Sequence, residues 1–156
     1  MVVDYTEGMD QMVLAGQYDQ ASIEVNTRVF HSGHPCFELG QDRRVSVELL
    51  LESVGHLTNP RISNVEVVAY RIKSDFSHRG LRSATVQELL AFGKTYPEIQ
   101  RRHTIVALGS DGSYRRGHTC VPYLDSNRTG RILRVRWYYG INDEWMAGYR
   151  FLAVRK

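Results

Sequence analysis

The segment that decides the fold spans residues 82–97 and reads RSATVQELLAFGKTYP. Thr85 and Glu88 have the spacing of a capping box, in which each side chain accepts the other residue's backbone amide at the start of a helix. Apolar residues follow at Leu89, Leu90 and Phe92. Pro97 limits the helix and restarts a short turn. The segment therefore predicts a capped helix with an apolar side.

Two further helices are predicted upstream of this segment. Ser63 and Glu66 have the same capping-box spacing. The residues behind them fall on one helical stripe, which consists of Val65, Val68, Ala69, Ile72 and Phe76. A short first helix is predicted to begin at Met9 and to be closed by Gly16.

The rest of the chain reads as strands. They are predicted over Ser22 to Phe30, Arg44 to Leu51, Thr104 to Leu108, Cys120 to Leu124, Arg131 to Trp137 and Tyr149 to Arg155. Pro122 predicts an edge position for its strand. In the Arg131–Trp137 strand, Leu133, Val135 and Trp137 share one face, and Arg134, Arg136 and Tyr138 share the other. We therefore expect a layered α+β domain with mostly antiparallel pairing.

Length and composition favour one domain over residues 1–156. No apolar run approaches the roughly 18 residues that cross a bilayer. The first residues lack the pattern of a signal peptide, so we expect a cytoplasmic protein without membrane insertion. Cys36 and Cys120 are expected to be buried thiols rather than a disulfide. Residues 101–156 contain eleven Lys and Arg against four acids, a net charge of +7.

The residues that carry a resemblance are 82–97, the run Ile105 to Ser110, the pair Val121-Pro122 before Leu124, and the ending Tyr149 to Lys156. In these residues the chain resembles the variable proteins of diversity-generating retroelements. The resemblance implies a C-type lectin fold of the formylglycine-generating-enzyme-like branch, with two helices packed on mostly antiparallel strands. It also implies ligand binding rather than catalysis, and no cofactor.

In that family a reverse transcriptase misincorporates at template adenines, and the copy replaces the 3′ coding end. Randomising codons that begin with two adenines and end in a pyrimidine never yields Lys, Glu, Gln, Trp or Met. The resemblance therefore implies that Trp137 and Trp145 are fixed scaffold residues. Glu144 and Met146 fit the pattern poorly.

The resemblance and the strand alternation together predict a hypervariable recognition surface from about Tyr123 to Tyr149. Its residues are Tyr123, Asp125, Ser126, Asn127, Arg128, Arg134, Arg136, Tyr138, Tyr139, Asn142, Ala147, Gly148 and Tyr149. Exposed tyrosine and arginine suit recognition because both provide a large contact area with a polar end. The expected ligand is a protein, bound by a monomer.

Other features of the sequence suggest other functions. The alternative function is nucleic-acid binding, since Arg101, Arg102, Arg115 and Arg116 could contact phosphates. His31, His34 and Cys36 match no standard zinc spacing, so no metal is expected. No Glu-Pro-Asn-like triplet supports calcium-dependent sugar binding. Cys120 and His118 would share a strand face, but one strand thiol is usually a packing residue, and no enzyme activity is expected.

Overall fold

The computed structural model describes residues 1–30, 44–53, 65–114, 118–137 and 148–156. The helices in these ranges are α1 (Met9–Ala15), α2 (Val65–His78), α3 (Val86–Thr95) and α4 (Pro97–Gln100). The strands are β1 (Val2–Asp4), β2 (Gln20–Ala21), β3 (Arg44–Ser46), β4 (Leu49–Ser53), β5 (Leu81–Ser83), β6 (Ile105–Val106), β7 (Gly112–Tyr114), β8 (His118–Asn127), β9 (Gly130–Trp137) and β10 (Arg150–Arg155).

Most of the described strands belong to one eight-stranded sheet. Its order is β2-β9-β8-β6-β10-β4, with β5 added on β10 and β7 on β8. Within the described part of the chain, β2 with β9 and β6 with β10 are the parallel pairs, and the other pairs are antiparallel. A separate two-stranded sheet joins β1 and β3. The predicted α+β class is thereby confirmed.

Apolar clusters cover both faces of the sheet. Phe151 and Ala153 of β10 pack with Phe76 of α2. Leu152 and Val154, which alternate with them, belong to the cluster that contains the buried residues of α1 and α3. Because successive strand residues point to opposite faces, α2 covers one face and α1 and α3 cover the other. Burial on both faces explains the uninterrupted apolar run of β10.

The capping box predicted at the start of α3 is confirmed. Thr85 Oγ1 accepts the Glu88 amide at 3.3 Å, and Glu88 Oε2 accepts the Thr85 amide at 2.7 Å. Pro97 begins α4, as its lack of an amide hydrogen predicts. Ser63, the predicted cap of α2, lies outside the described residues.

The strand predicted over Ser22 to Phe30 is wrong. The chain forms turns after β2, and Ile23 is 86% exposed. The side-chain oxygen of Asn26 accepts the amides of Arg28 and Val29, and its side-chain nitrogen donates to the carbonyl of Ile23. Such local side-chain bonds compete with strand pairing. The apolar alternation of this segment is therefore not that of a strand.

Two other strand predictions need correction. The strand predicted from Arg44 to Leu51 is divided into β3 and β4, which pair with β1 and β10 respectively. The strand predicted from Thr104 to Leu108 is limited to β6, and the Gly109 amide donates to the Ala84 carbonyl outside the sheet ladders at 2.8 Å. Both corrections follow from contacts between distant segments of the chain.

Pro122 does not lie at a sheet edge, contrary to the prediction, because β8 runs between β9 and β6. It faces Val135 of β9. The carbonyl of Leu133 is directed away from β8, toward the Ser22 amide at 2.8 Å. Val135 has the same orientation as Leu133, so the Pro122–Val135 pair needs no hydrogen bond. The proline therefore removes no bond of the β8–β9 ladder.

Candidate functional site

The predicted recognition residues are positioned by the hairpin of β8 and β9. Tyr123 faces Arg134 across the two strands, and Val121 faces Arg136. Residues that face each other in an antiparallel pair lie on the same side of the sheet, and every second residue shares that side. Tyr123, Arg134 and Arg136 therefore lie on the face that α2 covers in part.

Tyr149, just before β10, joins this group. Arg136 Nη1 donates to Tyr149 Oη at 3.4 Å, and the Arg136 guanidinium lies 5.8 Å from the centre of the Tyr149 ring. Burial raises the pKa of Tyr123, and a hydrogen bond from Arg134 together with its positive charge offsets part of this increase. Tyr123, Arg134, Arg136 and Tyr149 thus form one group, which we term the Arg–Tyr patch.

The Arg–Tyr patch is only partly outward-facing. Arg134 is exposed, but Arg136 is half-buried. Tyr123 and Tyr149 are half-buried and pack against the apolar cluster under α2. The prediction that this face stands clear of the core therefore applies to Arg134, while the two tyrosines form the boundary between the patch and the core.

Stability measurements can test this division of the patch. Arg134→Ala is expected to change the free energy of unfolding by less than about 0.5 kcal/mol, because the side chain is exposed. Tyr149→Ala should cost about 1–2 kcal/mol, because its ring packs against the apolar cluster. Urea unfolding of both variants measures the difference. Equal costs would contradict the assignment of Tyr149 to the boundary.

The predicted residues near the hairpin turn are held by structural bonds. Asp125 Oδ1 accepts the Thr104 hydroxyl at 3.0 Å. Ser126 Oγ donates to the Arg101 carbonyl at 3.2 Å, and the Asn127 side chain accepts the amide and hydroxyl of Thr129. Four residues of strand, about 13 Å, separate Asn127 from Tyr123. Asp125 lies two residues from Tyr123 on the same face of β8, next to the patch, and its charge helps to raise the pKa of Tyr123. The structure does not bring Ser126 and Asn127 to the patch.

Arg128 and Gly148 are both exposed. The remaining predicted recognition residues, Tyr138, Tyr139, Asn142 and Ala147, lie outside the described residues. The same holds for Trp145, Glu144 and Met146. Trp137, the other predicted scaffold tryptophan, is half-buried and packs against the cluster on the α1 and α3 side. Leu133 is fully buried in that cluster, and Val135 packs against it.

Sequence reasoning missed the role of Arg131, which is only 6% exposed. Its guanidinium donates to the carbonyls of Gly16 at 2.8 Å and Gly93 at 2.6 Å, and to Gln100 Oε1 at 3.1 Å. It also lies 4.9 Å from the centre of the Tyr18 ring. The signal was its position two residues before Leu133, because every second residue of a strand lies on the same face and Arg131 therefore shares the inward face of β9. Arg131 therefore joins β9 to α1, α3 and α4.

Comparison with protein-family models, with curated proteins and with solved structures finds no match. The resemblance to retroelement variable proteins therefore rests on the sequence residues quoted above and on no comparison.

The surroundings of Cys120 do not favour nucleophilic catalysis. Burial raises the pKa of the Cys120 thiol to about 12, with a smaller contribution from Glu24 and Asp111. A thiol in that state is protonated at neutral pH, whereas a nucleophile must be a thiolate. Cys120 forms no disulfide and is buried, as expected. Cys36, the second predicted buried thiol, lies outside the described residues.

The described ranges also bear on the metal-binding, phosphate-binding and membrane alternatives. No group of three or more His, Cys, Asp and Glu side chains there could hold a metal ion. His31 and His34 lie outside these ranges, as do Arg115 and Arg116. Arg101 pairs with Glu98 at 3.4 Å. Among the described helices, none combines the length and apolarity needed to cross a membrane.

Proposed function

We propose that this chain is a retroelement-diversified binding protein, which displays exchangeable side chains on a C-type lectin scaffold. The observation that carries the proposal is the Arg–Tyr patch, in which residues from β8, from β9 and from the position just before β10 meet on one face. The proposed ligand is a protein, bound by a monomer.

The C-type lectin assignment draws on the sequence resemblance. It is supported by the placement of α2 and α3 on opposite faces of the sheet and by the C-terminal strand β10, which lies between β6 and β4. A protein exposed to mass mutation needs a core that variation does not reach. Leu124 and Leu133 supply such a core on the face opposite the patch.

The chemistry of the patch suits recognition. Tyrosine and arginine are the residue types that contribute most often to binding energy at interfaces. Both tyrosines are held at their base by the apolar cluster under α2. Rings fixed in this way lose little conformational entropy on binding. The exposed Arg134 adds a planar cation beside them.

The decisive experiment is to sequence the DNA around the gene. We expect a reverse-transcriptase gene and an adenine-rich near-copy of the 3′ coding region. We also expect its adenine substitutions to coincide with the codons of the patch. If neither the reverse transcriptase nor the near-copy is present, the proposal is wrong.

A display library tests tolerance to variation independently. Randomising Tyr123, Arg134, Arg136 and Tyr149 should leave most members folded, because these side chains are not at the centre of a cluster. The matched control randomises the buried residues Val121, Leu124, Leu133 and Phe151. Protease resistance of displayed members gives the readout. Equal losses in both libraries would contradict the proposed recognition surface.

A further inference from the structure

A small cavity lies where β1, α1 and α3 meet, on the face of the sheet opposite the Arg–Tyr patch. Its volume is about 190 Å³. Pockets for drug-sized ligands measure roughly 300–1,000 Å³, so an occupant of this cavity must be a smaller molecule.

The base of the cavity is apolar. Met12 of α1 lines it together with Leu90 and Ala91 of α3, and all three side chains are buried. Val2 of β1 lines it as well, and this side chain is 63% exposed. An apolar chain of a ligand placed there would cover Val2 and would itself be removed from water, which favours binding.

Charged side chains of both signs line the same cavity. Glu7 contributes from the turn after β1, and Lys94 contributes from α3. Among the residues that the structure describes, no ion pair joins Glu7 to Lys94 or engages either of them. Glu7 is half-buried and Lys94 is exposed, so both charges can meet a ligand.

The two signs of charge lie toward different ends of the cavity. The Tyr5 hydroxyl donates to Glu88 in the first turn of α3, and the Glu7 amide donates to the Asp4 carbonyl at 3.4 Å. The turn that carries Asp4 and Glu7 is therefore held near the start of α3. Asp4 lines the cavity as well, so its negative charge adds to that of Glu7 at this end. Lys94 follows Glu88 by six residues, which is about 9 Å along the helix axis.

We infer that this cavity binds an ω-amino acid, a small zwitterion in which an apolar chain joins an ammonium group to a carboxylate. The ammonium group lies at Glu7, the apolar chain covers Met12 and Leu90, and the carboxylate lies at Lys94. Both signs of charge in the lining are then matched by the ligand. An α-amino acid cannot reach both ends, because one carbon joins its two charged groups. The cavity and the patch lie on opposite faces of the sheet, so this binding does not depend on a retroelement.

The test uses ε-aminocaproate as the probe. It is titrated into the ¹⁵N-labelled full chain, and amide chemical shifts are followed. We expect saturable shifts at Glu7, Ala91 and Lys94 in the millimolar range. Hexylamine lacks the carboxylate and hexanoate lacks the ammonium group, so each should bind about tenfold more weakly. Glycine carries both charges without the apolar chain and should cause no saturable shift.

Variants of the chain separate the two charged contacts. Glu7→Gln should weaken the binding of ε-aminocaproate about tenfold without weakening that of hexanoate. Lys94→Gln should weaken the binding of ε-aminocaproate by a similar factor without weakening that of hexylamine. Asp10→Asn and Lys156→Gln are the matched controls, because both residues are exposed and neither lines the cavity. Both controls should bind ε-aminocaproate as the unchanged protein does.

Three results would overturn the inference. The first is the absence of saturable shifts at Glu7, Ala91 and Lys94 in the unchanged protein at tens of millimolar ε-aminocaproate. The second is equal binding of ε-aminocaproate and either of the probes with one charge, which also needs no variant to fold. The third is a Glu7→Gln or Lys94→Gln variant that binds as its control does when circular dichroism shows both to be folded. None of these results bears on the DNA test of the proposed function, so the two proposals can fail separately.

Discussion

Replacing Arg82 with alanine is expected to destabilise the protein by about 3–5 kcal/mol, because it leaves a buried carboxylate without its cation. Glu88 is fully buried, and both of its oxygens accept from Arg82, at 2.6 and 2.9 Å. The hydroxyl of Tyr5 and the amide of Thr85 also donate to it. Urea unfolding at neutral pH measures the loss.

A surface ion pair provides the control for this prediction. Arg155 and Glu48 are joined at 2.9 Å, but their side chains are 55% and 60% exposed. Arg155→Ala should therefore cost less than about 1 kcal/mol. Adding Glu88→Gln to Arg82→Ala should restore part of the stability, because the buried charge is then removed. A loss from Arg82→Ala as small as that from Arg155→Ala would show that Glu88 does not depend on Arg82.

The same cluster makes stability depend on pH. Burial would raise the pKa of Glu88, but the hydrogen bonds from Arg82, Tyr5 and the Thr85 amide outweigh it, and the pKa is lowered. The cluster therefore stabilises the fold above the unfolded-state pKa of about 4.3, and this contribution is lost as pH falls through the folded-state value. The stability difference between the unchanged protein and Glu88→Gln should shrink below about pH 4. A difference that is constant from pH 7 to pH 3 would contradict this.

The parts of the fold that the sequence predicted depend on local signals. The Thr85–Glu88 capping box acts within four residues, and Pro97 acts on its own amide position. The alternation of β9 correctly placed Leu133 inward and Arg134 outward. In each case the physical cause lies within the segment itself, so one sequence is enough to identify it.

Most errors occurred where contacts between distant segments decide the structure. The strand predicted over Ser22 to Phe30 is the exception, because local bonds of Asn26 hold that segment in turns. Pro122 predicted an edge, but it is tolerated inside the sheet because of its register with Val135. In the candidate site, alternation placed Arg134 and Arg136 on one face, as the structure has them. Alternation could not predict the contact of Arg136 with Tyr149, thirteen residues later, because that contact depends on where the chain returns to the sheet.

The packing around Tyr18 explains why glycines occur at positions 16 and 93. A Cβ atom at Gly16 would lie 2.2 Å from the Tyr18 ring, and one at Gly93 would lie 2.3 Å from its hydroxyl oxygen. Gly16 itself has right-handed backbone angles, and Gln17 carries the positive φ of 50°. Gly16 was predicted to end α1 through its conformation. A glycine is needed there instead because a side chain at position 16 would overlap the Tyr18 ring.

Tyr18→Phe is expected to be neutral or to stabilise the fold by up to about 1 kcal/mol. The Tyr18 hydroxyl is buried and has no hydrogen-bond partner among the described residues. Burial also raises its pKa to about 12, although the nearby charge of Arg131 lowers it. The phenylalanine variant keeps the ring under Arg131 and removes only the unsatisfied oxygen. A clear loss of stability in urea would show that the hydroxyl has a partner.

Arg131→Leu is expected to cost at least about 3 kcal/mol, since it strands three buried acceptors, each worth about 1–3 kcal/mol. They are the carbonyls of Gly16 and Gly93 and the side-chain oxygen of Gln100. Gln100 in turn donates to the carbonyls of Asp125 and Ile132, so the loss should spread to the β8–β9 hairpin.

Arg131→Lys should recover little of this loss, because one ammonium cannot reproduce the planar fork that contacts three elements. Arg128→Ala, on the same hairpin but exposed, is the matched control and should change stability by less than about 0.5 kcal/mol. Hydrogen exchange of the Ile132 and Leu133 amides distinguishes a local from a global effect. If Arg131→Leu unfolds at the same urea concentration as Arg128→Ala, the buried guanidinium does not hold the hairpin to the helices. The scaffold beneath the Arg–Tyr patch must then be held by apolar packing alone.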